Sequence, residues 1–318
     1  MGRHAAGDAP EVDSLVERAI REIGAEIDAC RLNGLRGVVL GGGYARGEGG
    51  VAADGSLSND LDFYVVVENS ATANEVSAIS AKLGGISRRW SAALGIDVDF
   101  CEPKTTWRLH HDQKRLMIQE LVHAWCDVAG EAGESLFAGV KRLAPEELPP
   151  VEAARLLANR GAGLLLAAET ADLAFVARNI NKAVLGAGDA SLIATHRYAW
   201  RAEDRAAKLR DPLYSKALDW KFRPSATPVC DAATARQTWL AAAANFLASP
   251  SAASGPLARR SLFNTARWLV RRRSAGPEPI VSLGLDPTLR VLRGIYSAVA
   301  ANAPFPPSLR REIGRAHV

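Results

Sequence analysis

The spacing of hydrophobic residues in the first hundred positions predicts helices that alternate with short strands. Between Glu11 and Cys30 the apolar side chains recur at helical spacing, which predicts an amphipathic helix. A second helix is predicted to begin at a cap on Ser70 and to end at about Trp90. Short apolar or alternating runs predict three strands, at Val38–Leu40, Leu61–Val67 and Ile96–Phe100.

The alternation of predicted helices and strands ends at a group of prolines at positions 145, 149 and 150. Residues 113–126, before these prolines, are predicted to be helical. The segments that follow are rich in Ala, Leu and Arg and carry few strand signals; the helices predicted there are Val151–Leu185, Ala190–Leu209, Ala232–Leu247 and Leu257–Arg272. We therefore expect an α/β domain over residues 1–145 and an all-α domain over residues 146–318.

Composition narrows the class of protein only slightly. The chain of 318 residues is 48% hydrophobic and 23% charged, as expected for a globular protein. No apolar run is long enough for a transmembrane helix, and the first ten residues lack the apolar core of a signal peptide, so we expect a cytoplasmic protein. The four scattered cysteines predict free thiols. A net charge of +4 suits an anionic ligand, but a solvated basic excess explains it equally well.

Two pairs of aspartates suggest a site for divalent cations. Asp60 and Asp62 lie two residues apart at the start of a predicted strand, so their side chains leave the same face. Neighbouring carboxylates repel each other unless a cation lies between them. Asp97 and Asp99 share a face of the next strand, and either could supply a third carboxylate. The alternative is that these aspartates simply line a solvated sheet face.

A glycine turn precedes the first aspartate pair. Gly41, Gly42 and Gly43 follow a predicted strand and precede the short segment Tyr44–Glu48. Glycines allow backbone N–H groups to approach a phosphate closely, although such a turn can also be purely structural. The segment matches neither the dinucleotide fingerprint nor the Walker loop.

Taken together, these residues resemble a known family. The sequence Gly42-Gly43, then Arg46-Gly47-Glu48, then Asp60-Leu61-Asp62 is similar to the signature of the nucleotidyltransferase superfamily with the DNA polymerase beta-like fold. The segment GGYARGE is similar to the turn of the bacterial PII-protein uridylyltransferases and of small-molecule nucleotidyltransferases. The resemblance implies a mixed sheet flanked by helices, followed by a helical domain.

The resemblance also implies roles for individual residues. Gly42 and Gly43 would hold the triphosphate, while Asp60 and Asp62 would bind two Mg²⁺ ions. Asp99 would be the third catalytic and metal-binding carboxylate, with Asp97 as the alternative. The further residues expected to bind the nucleotide are Arg46 and Lys182. The chain departs from the family signature in two places. Gly43 replaces a serine found in many members, and the loop between Glu48 and Asp60 is longer than usual.

The helical half carries weaker signals. Arg178 and Lys182 lie four residues apart, so they share one helix face, which can contact phosphate or simply be solvated. Asp189 follows a glycine-rich break and is predicted to cap the next helix. Trp239 is predicted to lie in the core.

Two further groups of residues are open to more than one interpretation. His110–Asp112 are predicted to form a surface loop. The basic segment Arg259–Arg273, which contains Trp268, is either a solvated face or a site for RNA.

The sequence therefore predicts a transferase that moves a nucleoside monophosphate from a nucleoside triphosphate to a hydroxyl group and releases pyrophosphate. ATP is the expected triphosphate and a small molecule the expected acceptor. A protein hydroxyl (AMPylation or UMPylation) and an RNA 3′ end are alternative acceptors. A nucleotide-binding regulator without turnover is the alternative from another functional class.

Overall fold

Helices and strands alternate in the first half of the computed structural model, which describes residues 3–249, 287–307 and 309. The elements of this half are α1 (Pro10–Ala29), β1 (Leu35–Leu40), α2 (Gly42–Ala45), β2 (Leu61–Val67), α3 (Ala73–Leu94), β3 (Val98–Phe100), β4 (Lys104–Thr105), α4 (Thr106–His111), α5 (Leu116–His123), β5 (Cys126–Gly130) and α6 (Gly133–Leu136). The three predicted strands and the helices between them are confirmed, with small shifts at their ends.

The strands form one mixed sheet in the order β3-β2-β1-β5, and the short β4 also pairs with β2. β1 is antiparallel to β2 and β5, whereas β3 and β4 run parallel to β2. Alternate residues of β2 face two separate hydrophobic clusters. Leu61, Phe63 and Val65 pack with α1 and α3, while Val66 packs with residues of α4, α5 and α6. The expectation of a mixed sheet flanked by helices is confirmed.

The chain divides into two compact units. The first contains the residues up to Ala144 together with Trp200–Asp204 and Leu218–Ser225, so it is discontinuous in sequence. The second contains Pro145–Ala199, Arg205–Ala217 and the described residues from Ala226 onward. None of the helices in the described part of the chain is long and apolar enough to cross a membrane.

The later elements are helical: a short 3₁₀ turn (Pro145–Glu147), α7 (Pro150–Ala167), α8 (Leu173–Ala194), α9 (Ala202–Leu209), α10 (Pro212–Phe222), α11 (Ala232–Ala248) and α12 (Pro287–Ala300). Trp239 of α11 is fully buried, as predicted, and its indole N–H donates to the Leu157 carbonyl at 3.0 Å. A Cβ on Gly161 of α7 would lie 2.3 Å from the Trp239 ring, so the missing side chain lets the helices pack closely.

Several predicted boundaries in the first half are wrong. The cap of α3 is Thr72 rather than Ser70; its hydroxyl accepts from the Glu75 N–H, and Glu75 bonds back to Thr72. The helix predicted over residues 113–126 ends at His123, and β5 begins at Cys126. His110 and His111 are the last residues of α4 rather than a loop, and Asp112 is the C-cap that follows them.

The predicted role of Asp189 as a helix cap is also wrong, because α8 continues through the glycine-rich segment. The missing side chains of Gly186 and Gly188 make room for neighbours instead of breaking the helix. A Cβ there would meet the Arg160 side chain at 2.4 Å and the Tyr214 ring at 2.5 Å, respectively. Asp189 instead accepts a hydrogen bond from the Tyr214 hydroxyl at 2.6 Å.

The other helical predictions meet mixed outcomes. The helix predicted over Val151–Leu185 is interrupted before α8, where the Asp172 side chain caps the new helix. The segment predicted as one helix over Ala190–Leu209 is divided, because residues 190–194 end α8 and α9 begins at Ala202. The helix predicted over Ala232–Leu247 matches α11 closely. The predicted helix Leu257–Arg272, the basic segment Arg259–Arg273 and Trp268 lie outside the described residues.

Candidate active site

The glycine turn (Gly41–Gly43) contacts the strand that carries the aspartates. It directly follows β1, and the Gly41 N–H donates to the Asp62 carbonyl at 2.9 Å. Gly42 has a φ of +70°, which an L side chain rarely adopts. A Cβ on Gly42 would lie only 2.6 Å from Oδ2 of Asp62. The turn therefore requires glycine for two independent reasons, and the Asp62 carboxylate lies directly against its backbone.

The aspartates are brought to one face of the sheet by the pairing of β2 with β3. Asp62 and Asp99 are direct partners in this parallel pair, and the adjacent partners Leu61 and Val98 are buried on the core side. Because side chains alternate along a strand, Asp62 and Asp99 both leave the opposite face. Asp60 directly precedes β2.

Asp97 lies just outside β3, where its carbonyl accepts from the Leu61 N–H at 2.9 Å. It is therefore fixed to the start of β2 by its backbone. Its side chain and that of Asp99 are both exposed, so exposure does not decide between the two as the third carboxylate.

The charges of these carboxylates influence neighbouring groups. Partial desolvation by the surrounding protein, followed by the charges of Asp97 and Asp60, raises the pKa of Asp99. Burial and then the charge of Asp62 raise the pKa of the Cys101 thiol to about 11. The sheet face that carries Asp62 and Asp99 is thus negatively charged, so that binding of a cation is favoured and further negative charge is disfavoured.

The donor chemistry of this face fits a hard divalent cation. Carboxylate oxygens are the ligands that Mg²⁺ prefers, and the Asp62 carboxylate lies beside Gly42 of the turn. Within the described parts of the chain, no three His, Cys, Asp or Glu side chains are already gathered around one point as metal ligands. The residues that could hold the ion are Asp60 and Asp62, with Asp99 or Asp97 as the third carboxylate.

Tyr44 fixes the long loop that leads to Asp60. The buried Tyr44 hydroxyl donates to the Gly50 carbonyl at 2.7 Å and accepts from the Ser58 N–H at 3.1 Å. The Asn59 side chain closes the same loop, because its Oδ1 accepts from the Gly50 N–H at 2.6 Å. Both ends of the loop are therefore held on α2, and Asp60 follows immediately.

Glu48 is a buried carboxylate with several partners. Its Oε1 accepts from the Ala202 N–H at 2.8 Å, and its Oε2 lies 3.0 Å from Nζ of Lys221 and 3.4 Å from Nε of Arg46. Arg46 also pairs with Glu120 at 3.5 Å. The RGE part of the motif thus joins the turn to distant segments of the first unit, a role that sequence reasoning missed.

The predicted site residues fall into three groups. Gly42, Asp62 and Asp99 lie together, with Asp60 and Gly43 adjacent to them in sequence. Arg46 is largely buried among ion pairs, and its assignment to the nucleotide stays a prediction. Lys182 lies in α8 of the second unit, on the same helix as Arg178, and its role stays a prediction as well.

A comparison with protein families and with curated proteins finds no family model and no curated protein that matches this chain.

Proposed function

We propose that this protein is a metal-dependent nucleotidyltransferase that transfers a nucleoside monophosphate, with ATP as the expected donor, to a hydroxyl of a small-molecule acceptor. The observation that carries the proposal is the contact between the Gly42 backbone and the Asp62 carboxylate, with Asp99 paired beside Asp62. A phosphate-binding turn and a set of metal-binding carboxylates must adjoin for this chemistry, because a metal held by the carboxylates would neutralise charge on the phosphates.

In the proposed reaction, an oxygen of the acceptor hydroxyl bonds to the α-phosphorus while the bond from that phosphorus to the β-phosphate oxygen breaks. Pyrophosphate leaves, and the hydroxyl proton passes to the Asp99 carboxylate. Mg²⁺ held by Asp60, Asp62 and Asp99 would neutralise the charge of the triphosphate and lower the pKa of the acceptor hydroxyl. The glycine turn would position the β- and γ-phosphates.

Substitutions that keep the shape of the aspartates and remove their charge test their role. Asp60→Asn and Asp62→Asn keep the shape of each side chain and remove one ligand charge. Each should lower transfer by on the order of 10³-fold or more, which is about 4 kcal/mol of transition-state stabilisation. Asp54→Asn is the matched control, because Asp54 is an exposed aspartate whose carboxylate bonds within its own loop to Ser56.

The assay is Mg²⁺-dependent release of pyrophosphate with a metabolite extract as the source of acceptor, alongside thermal unfolding of each variant. The proposal predicts that the two site variants fold normally and lose activity, while the control keeps it. Near-normal turnover by folded Asp60→Asn or Asp62→Asn would refute the metal assignment.

A further inference from the structure

The segment Arg3–Ala6, called here the N-terminal segment, is held in place by one carboxylate. Asp13, in the first turn of α1, accepts hydrogen bonds from the backbone N–H groups of Arg3, His4 and Ala5 at 2.6, 2.9 and 2.9 Å. Three consecutive N–H groups on one ionised carboxylate fix the backbone of the segment. The segment is therefore an ordered part of the first unit.

The same segment contacts the residues that follow the glycine turn. The Gly49 N–H donates to the His4 carbonyl at 3.0 Å, and the Ala6 N–H donates to the Gly49 carbonyl at 2.8 Å. Nδ1 of His4 lies 3.0 Å from the Tyr44 carbonyl inside α2. The His4 side chain is 1% exposed, so this contact is shielded from water.

The contact fixes the protonation of the ring. A carbonyl oxygen can only accept, so Nδ1 of His4 must carry a proton and donate it. In the neutral ring Nε2 is then the unprotonated nitrogen; it lacks a hydrogen-bond partner among the described residues and lies 4.0 Å from Oε1 of Glu17. The ring is thus oriented by its Nδ1–H bond to Tyr44.

We infer that His4 is a positioning residue for the glycine turn. It acts through the carbonyl of Tyr44, one residue after Gly43, and through the backbone pairing with Gly49 on the far side of the RGE motif. The inference rests on the proposed function, because the turn it positions is the proposed triphosphate site. Loss of the Nδ1–H donor should leave α2 less well held while the aspartates stay in place.

Three substitutions separate the hydrogen bond from simple packing. His4→Asn places an amide N–H close to the position of Nδ1 and should restore the bond to Tyr44. His4→Leu fills similar space without a donor, and His4→Gln places its amide nearer to Nε2. The Asn variant should therefore resemble the parent, whereas the Leu and Gln variants should not.

Two readouts are measured for each variant. The first is hydrogen exchange at the Arg46 and Glu48 amides, which both donate to the Gly43 carbonyl and so report the order of the turn. The second is the Kd of ATP with Mg²⁺. In His4→Leu and His4→Gln, exchange should speed up and the Kd should rise about fivefold to tenfold, as expected for one lost buried hydrogen bond.

Equal behaviour of the Asn and Gln variants would overturn the inference, since only packing would then matter. Unchanged exchange and affinity in His4→Leu would overturn it as well. If His4→Leu does not fold, the comparison of Asn with Gln decides. If the parent protein binds no triphosphate, the proposed function fails, while the exchange data still decide whether His4 holds the turn.

Discussion

A methyl group on Gly42 is the sharpest perturbation of the contact between the turn and the carboxylates. Gly42→Ala places a side chain at a φ of +70°, which costs an L residue about 1–2 kcal/mol. The new Cβ would lie 2.6 Å from Oδ2 of Asp62. The carboxylate or the turn must therefore retreat by about 0.8 Å to restore an ordinary van der Waals contact.

Such a shift acts at once on a proposed metal ligand and on the backbone proposed to bind phosphate. A misplacement of about 1 Å in an active site can cost on the order of 10²-fold in rate, so we expect Gly42→Ala to lower nucleotidyl transfer by about this factor. The loss of folding stability should stay within the backbone cost of about 1–2 kcal/mol. Activity is thus expected to fall much further than stability.

Gly95→Ala is the matched control for backbone strain. Gly95 has a φ of +69°, and a Cβ added there meets no heavy atom within 4 Å. Urea unfolding and Mg²⁺-dependent transfer are measured for both variants. The account predicts similar losses of stability and a loss of transfer only in Gly42→Ala. Equal transfer by the two variants would refute the reasoning that the turn and the Asp62 carboxylate work as one site.

Three further predictions follow from particular contacts. Asp99→Ala should suppress single-turnover transfer while leaving Mg²⁺–ATP affinity largely intact. Asp97→Ala should lower the single-turnover rate much less, and the reverse ranking of the two rates would assign the third carboxylate to Asp97. Gly43→Ser should cost little, because its Cβ would lie 3.3 Å from the Glu48 carbonyl oxygen, a tight contact that a shift of a few tenths of an ångström relieves. Gly43→Val should raise the Kd of ATP, and equal affinities would make the turn purely structural. Hydrogen bonds from Arg36 and then Ser135 lower the pKa of Glu131 from 4.5 to about 2, so this side chain stabilises the fold above pH 4.5 and loses that effect as the pH falls toward 2. Glu131→Gln should flatten the unfolding free energy over that window, and an unchanged slope would contradict the assignment.

Local periodicity explains which parts of the fold are predictable from sequence. Buried and half-buried residues alternate over the first five residues of β2, so this part of its pattern predicts a strand. β5 carries only one buried residue, Ala129, and is a strand because it pairs with β1. Its sequence continues the apolar run of α5, which is why helix was predicted there. Pairing between distant segments leaves no local signal of this kind.

The candidate site is likewise predictable from the sequence only in part. The glycine turn and the paired aspartates are visible as a motif, because each lies within a few residues of sequence. The contact of Gly42 with Asp62 depends on the antiparallel pairing of β1 with β2, and the partners of Glu48 come from positions 202 and 221. Similarly, the glycines near Asp189 suggest a helix break in the sequence, but their space is filled by side chains from other helices.

The fate of isotopic label from the donor tests nucleotidyl transfer most directly. The protein is incubated with Mg²⁺, a metabolite extract and ATP labelled either at the α- or at the γ-phosphate. The account predicts that α-label enters a small-molecule product and γ-label enters pyrophosphate, and that both signals disappear in Asp62→Asn. Transfer of γ-label to the acceptor, or α-label transfer that persists in folded Asp62→Asn, would contradict it.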